Sequence, residues 1–158
     1  MSRGISKSKK RNIKPDQKHG NVLVSRFINY VMENGKKSIA EKIVYSAFDR
    51  AEKELKVTLN DIFEQVIKNA GPLVEVRGKR IGGANYQVPV EVGRDRKNIL
   101  AMRWIIAAAK SKKGKAMADK LAEELISAYK GEGAAIKKKD ETHKMAEANK
   151  AFAHFARF

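Results

Sequence analysis

Cysteine is absent from this chain of 158 residues. That excludes a disulfide framework, thiol catalysis and any cysteine-based zinc site, and it leaves no sign of an oxidising compartment. Long apolar runs are missing as well. Trp104 to Ala109 is among the longer ones, far short of the roughly 18 residues that would mark a membrane span, so no membrane partner is expected. The basic N-terminus is followed by no apolar stretch, which argues against a secretory signal. Acidic residues are the last shortage: Asp+Glu number 18 against Lys+Arg 34, for a formal net charge of +16 and a pI near 10.1. That balance is too lopsided for a generic soluble enzyme and points to a polyanionic partner, above all nucleic acid. What is present in quantity is apolar, 42% of residues, enough at this length to bury one core and build one domain.

The positive charge is local. Residues 1–20 hold Arg3, Lys7, Lys9, Lys10, Arg11, Lys14 and Lys18 against Asp16 alone, a net of +6. With so few apolar side chains this segment cannot offset its ordering entropy, so it reads as an arm that is disordered when free and orders on binding. Residues 33–66 carry six basic and seven acidic side chains, a net of −1. The later excess sits in four clusters: Arg77, Lys79 and Arg80; Arg94, Arg96 and Lys97; Lys110, Lys112, Lys113 and Lys115; Lys137, Lys138 and Lys139.

The remainder, residues 21–158, reads as a mainly α, single helical domain of about six helices with one protruding β-hairpin. Asn21 to Asn34 spaces Leu23, Phe27, Ile28 and Val31 as a helix, and Gly35 stands where a left-handed cap belongs. Ile39, Ile43, Ala47, Phe48, Ala51 and Leu55 stripe a second helix. Thr58 and Asp61 resemble a capping box ahead of Leu59, Ile62, Phe63, Val66, Ile67 and Ala70, and Gly71-Pro72 ends that helix. The period then drops to two over about residues 73–92, with Gly82-Gly83 between the halves, which predicts a hairpin. Pro89 restricts it to an edge or a bulge. Ile99 to Ala109 is apolar nearly all round and predicts a buried helix with Arg103 its only charge, there to pair inside, to snorkel, or to emerge beside Arg94 and Arg96. Met117, Leu121, Leu125 and Ala128 stripe the next helix, closed by Gly131. Met145, Ala148, Phe152 and Phe155 stripe the last, with Lys139, His143 and Lys150 opposite.

A basic two-stranded ribbon on a helical body suits a nucleic-acid groove, and paired glycines at its tip permit close approach. The plainer alternative is a surface hairpin with solvated charges. Gly82-Gly83 lacks the spacing and the Lys-Ser or Lys-Thr of a phosphate loop, so it reads as a turn. The Lys110–Lys115 loop reads as a phosphate clamp rather than a merely solubilising turn. Asp140, His143 and Glu147 share helical spacing and raise the thought of a metal or an acid–base pair, but a second histidine is missing and lysines surround them. A solvated face is the better reading. His154, between Phe152 and Phe155, reads as packing. No metal or cofactor is called for, and nothing argues for an enzyme.

Several strings together resemble one family. Pro72-Leu-Val-Glu-Val-Arg-Gly-Lys-Arg-Ile-Gly-Gly-Ala-Asn-Tyr-Gln-Val-Pro89 is similar to the hairpin of small ribosomal subunit protein seven, bacterial type. Leu100-Ala-Met-Arg-Trp104, the stretch Lys137 to His154, and Phe27-Ile-Asn with Gly35-Lys-Lys and Ile43-Val-Tyr-Ser-Ala47 match in order over about residues 15–155. The resemblance implies a primary binder of small-subunit 16S rRNA in its 3′ major domain that nucleates assembly of the subunit head. Its neighbours would be small-subunit proteins nine and eleven. Its place would be cytoplasmic in the small ribosomal subunit, an organellar copy being left open. By position it assigns the arm, Lys36, Lys37, Arg77, Arg94, Arg96, the Lys110–Lys115 lysines, Lys137 and Lys138 to rRNA. It assigns Lys79, Arg80, Gly82, Gly83, Asn85 and Tyr86 to a hairpin end near exit-site tRNA and the mRNA exit path. A nonspecific DNA-compacting nucleoid protein would share the charge but would have no reason for the hairpin strings.

Overall fold

Apolar spacing and end caps account for most of the helices. In a computed structural model, which describes residues 12–157, the order is α1 (Val22–Val31), α2 (Lys37–Leu55), α3 (Leu59–Ala70), β1 (Val74–Ile81), β2 (Ala84–Glu91), α4 (Arg94–Ser111), α5 (Met117–Tyr129), α6 (Ala134–Ala148) and a closing 3₁₀ helix (Lys150–Arg157). The expected class, mainly helical with one hairpin, is the one found. None of the described helices is long and apolar enough to cross a membrane.

Helix α3 matches its pattern closely. The Thr58 hydroxyl oxygen accepts from the Asp61 amide at 3.4 Å and donates to the Asp61 carboxylate at 2.7 Å, and all six stripe residues are buried. Asn21 caps α1, its Oδ1 accepting from the Leu23 amide at 2.8 Å. Four differences from the sequence-based expectation have local causes. Helix α1 stops at Val31, with Met32 as its cap, so Gly35 at φ +74° serves a turn into α2 rather than the cap itself. On α2 the buried face runs Ala40, Val44, Ala47, Phe48 and Ala51; Ile39 lies one position off it and is 52% exposed. Helix α4 is not buried all round, because Arg103, Ala107 and Lys110 form an exposed line at helical spacing. The last stripe is wrong: α6 ends at Ala148, buries Ala135, Ile136, Thr142 and Ala146, and leaves Met145 48% exposed.

The core is set by α5, which packs against α2, α3, α4 and α6. Phe27, Phe48 and Phe63, all 1% exposed or less, form its aromatic centre. The Phe48 and Phe63 rings meet edge to face at 5.4 Å, and Phe27 lies 5.2 Å from Phe63. Ends of helices are tied by polar groups. The Asn69 amide donates to the Ala128 and Tyr129 carbonyls at 2.9 and 3.0 Å, and Lys139 Nζ donates to the Asn69 carbonyl at 2.9 Å. Buried Glu124 accepts from the Ala135 amide at 3.0 Å, joining α5 to α6. Gly133 between them has φ +99° and ψ 174°, backbone open essentially to glycine alone, and a Cβ there would meet Glu124 Oε1 at 2.9 Å.

Part of the segment read as an arm is tied down. Asp16 is buried and accepts from the amides of Lys18 and His19 and from the Tyr45 hydroxyl on α2, the last at 2.5 Å. Burial, reinforced by that hydrogen bond, raises the Tyr45 phenol well above its ordinary range. Arg3, Lys7, Lys9, Lys10 and Arg11 lie outside the described residues.

Candidate nucleic-acid interface

The hairpin pairs residue for residue from Val74↔Glu91 to Ile81↔Ala84, closed by Gly82 at φ +56° and Gly83 at φ +87°. Positive φ at both turn positions is what a two-residue primed turn requires, and only glycine adopts it freely. The register has no extra residue at Pro89, so the proline sits on an edge and not in a bulge.

At the base of the ribbon, Glu75 is the residue that composition alone did not single out. It is 7% exposed and takes hydrogen bonds from Arg77 Nε at 2.7 Å and from Arg96 Nε and Nη2 at 3.2 Å each. Two of the expected rRNA contacts therefore converge on one acid, which fixes their guanidinium planes and binds β1 to the start of α4. Burial pushes the Glu75 carboxyl up, but the hydrogen bonds from Arg77 and Arg96 outweigh it and hold it below the usual glutamate range. A carboxyl depressed by folding stabilises the fold above its unfolded value and loses that contribution as pH falls through the folded value. Urea unfolding of the Glu75→Gln variant should therefore show a deficit against the parent at pH 7 that disappears below the folded carboxyl value. A deficit that persists unchanged at pH 2 would contradict this.

The outer half of the ribbon is strapped to the body. Tyr86 packs against Phe152 and Phe155 at 5.3 and 5.1 Å, and Lys79 Nζ donates to the Phe155 carbonyl at 3.1 Å. The two phenylalanines expected to stripe α6 instead belong to the 3₁₀ helix and cover the hairpin. Arg80, Gly82, Gly83 and Asn85 stay exposed, and Arg80 has no acidic partner among the described residues.

The lysine loop between α4 and α5 is less free than its sequence suggests. Lys110 is paired with Glu33, Lys115 with Glu123, and Lys112 with Glu123 and the buried Glu124 at 3.7 and 3.2 Å. The hydrogen-bonded Lys110 ammonium holds the Glu33 carboxyl below its usual range, and Lys115 does the same for Glu123. Lys113 alone of the four has no acidic partner among the described residues. Elsewhere Lys18 pairs with Asp49 at 2.7 Å, Lys37 with Glu41 at 3.9 Å and Lys138 with Glu141 at 3.1 Å. Lys14, Lys36, Arg94 and Lys137 are exposed and unpaired among the described residues. Arg103 pairs with no described acid; its guanidinium lies 5.6 Å from the Tyr30 ring centre, a cation–π contact at the surface.

A family model described as ribosomal protein S7p/S5e matches residues 2–150. The chain belongs to that family. Small ribosomal subunit protein uS7 of Roseiflexus castenholzii is 56% identical over 144 residues, covering 91% of this chain and 92% of that one. The proteins of the same name from Chloroflexus aurantiacus and Thermotoga maritima are 55% and 54% identical over 148 and 149 residues, 94% of this chain in each case and 94% and 96% of theirs. The family is structural rather than enzymatic, and the geometry of His143 agrees. Its Nε2 accepts from the Leu73 amide at 3.0 Å, so the ring holds the root of the hairpin to α6 and its lone pair is already committed. Lys139 donates to the Asn69 carbonyl and lies 3.8 Å from the Asp140 carboxylate. The acids that organise the basic surface, Glu33, Glu75, Glu123 and Glu124, were invisible in segment totals because a total does not say which charges meet; Glu75 and Arg96 lie 21 positions apart and Glu33 and Lys110 lie 77.

Proposed function

We propose that this chain is a primary binder of small-subunit rRNA, acting in the 3′ major domain and nucleating assembly of the subunit head. As a member of its family it is a structural component of the small ribosomal subunit. The observation that carries the rRNA reading is the sorting of its cations. Glu75 orients Arg77 and Arg96 at the hairpin root, while Lys14, Lys36, Arg94, Lys113 and Lys137 remain unpaired at the surface among the described residues. Oriented guanidiniums and free ammonium groups on a rigid helical body suit structured RNA, which is recognised by shape and by its phosphates. The exposed Arg80 and Asn85 at the strapped hairpin end support a position near exit-site tRNA and the mRNA path, with small-subunit proteins nine and eleven as neighbours. Competition binding tests the rRNA reading. Unlabelled 3′ major-domain fragment should displace the labelled fragment, while duplex DNA at 100-fold excess should displace little. Equal competition by DNA would overturn it in favour of nonspecific polyanion binding.

A further inference from the structure

The first turns of α1 and α4 and one side of α3 border one open groove of about 390 Å³, a size within the range of roughly 300–1,000 Å³ typical of small-ligand sites. Half-buried Leu23 supplies apolar wall; Phe63 borders the groove too but is 1% exposed, so Leu23 carries the accessible surface. Opposite them the amide groups are already arranged. Asn21 Oδ1 is taken by the Leu23 amide, and Asn21 Nδ2 donates to Asn60 Oδ1 at 3.0 Å. The Asn60 oxygen is thereby engaged, and its own amine remains as a donor without a partner among the described residues.

One turn further along α3, Glu64 lines the same groove together with Lys68, Arg94 and Lys97. Among the described residues its carboxylate pairs with none of these three cations. The Lys97 stem is laid down by the fold, since a Cβ on Gly71 would come within 2.6 Å of its Cγ and Cε. The groove therefore offers an apolar wall, an amide donor, an unpaired acid and three cations.

We propose that this groove takes an unpaired guanine nucleotide of RNA. The base lies against Leu23, and Asn60 donates to its O6. Glu64 accepts from its N1–H and N2–H, and Arg94 and Lys97 hold the adjoining phosphate. Guanine is the base whose edge sets an acceptor beside two neighbouring donors, the pattern that an amine next to a carboxylate complements. Extruded bases in loops and bulges are the parts of RNA that proteins read by their edges. The inference rests on the rRNA-binding reading and adds a specific subsite to it.

Glu64→Gln decides between a base contact and a bystander, because the two give opposite signs. Removing a negative charge from among three cations should strengthen phosphate binding if Glu64 touches no base. If it reads guanine, affinity of the full chain for the 3′ major-domain fragment falls about 10-fold with the salt slope unchanged, whereas Arg94→Gln lowers that slope by about one. A titration of the isotope-labelled full chain with guanosine monophosphate should shift the Asn60 side-chain amide. The other three nucleoside monophosphates and inorganic phosphate should not. Unchanged or raised affinity of Glu64→Gln on a fragment that the parent binds, or equal Asn60 shifts with all four nucleotides, would overturn the subsite. Failure of the parent to bind the fragment would overturn the rRNA reading instead, and the nucleotide titration would still decide the subsite.

Discussion

Raising salt from 50 to 200 mM is expected to weaken binding to a 3′ major-domain fragment about 10³–10⁵-fold, the loss that accompanies release of counterions from about 6–10 phosphates. The ion pairs show which of the expected rRNA contacts are free to meet phosphate. Lys14, Lys36, Arg94, Lys113 and Lys137 have no acidic partner among the described residues, and the sequence supplies Arg3, Lys7, Lys9, Lys10 and Arg11 ahead of them. Lys110 and Lys115 add to the slope only by exchanging Glu33 and Glu123 for phosphate, whereas Lys112 is held by Glu124. Exposed ion pairs are weak because water screens them, so phosphate can displace Glu33 and Glu123. Glu124 is buried and also holds the Ala135 amide, so it stays in place. Fluorescence anisotropy over a salt series gives the slope directly. A flat profile would mean that the charge excess is not the source of affinity.

Phe63→Ala should cost about 3–5 kcal/mol of unfolding free energy, the usual loss when a large buried ring is removed from a packed site. Phe63 is 1% exposed and sits between Phe27 and Phe48, so the cavity would open at the junction of α1, α2 and α3. Its backbone is held in a capped helix that has little freedom to close the gap. Domains of this size are stable by only about 5–15 kcal/mol, so the variant should approach marginal stability. Urea unfolding at constant denaturant slope measures it. A loss under about 1 kcal/mol would show that the three rings are not the energetic centre of the core. Phe63→Leu should recover most of the difference, because it restores apolar volume without the ring.

The helices that sequence described best were those whose signals are local. Thr58 and Asp61 at the start of α3, its unbroken stripe, and Gly71-Pro72 at its end lie within one short stretch. So do the two glycines of the hairpin turn, each needed at positive φ. The failures share a cause. Periodicity shows that a face is apolar but not how wide the covering neighbour is. Ile39 and Met145 therefore lie outside what their neighbours cover. Phe152 and Phe155 continued an apolar pattern past Ala148, but the chain tightened there and turned both rings onto Tyr86.

Composition and local pattern by themselves determined that this is a cysteine-free, strongly basic, mainly helical chain with a glycine-turned ribbon and a polyanionic partner. Those properties are sums over residues or over one helical turn, and neither needs a distant neighbour. Only the tertiary structure decided which cations are available. Glu75 meets Arg96 across 21 positions and Glu33 meets Lys110 across 77. Coulomb attraction at contact distance depends on spatial separation, which a charge count along the chain does not contain. The +16 is thus divided by the fold into cations held by acids and cations left exposed for phosphate.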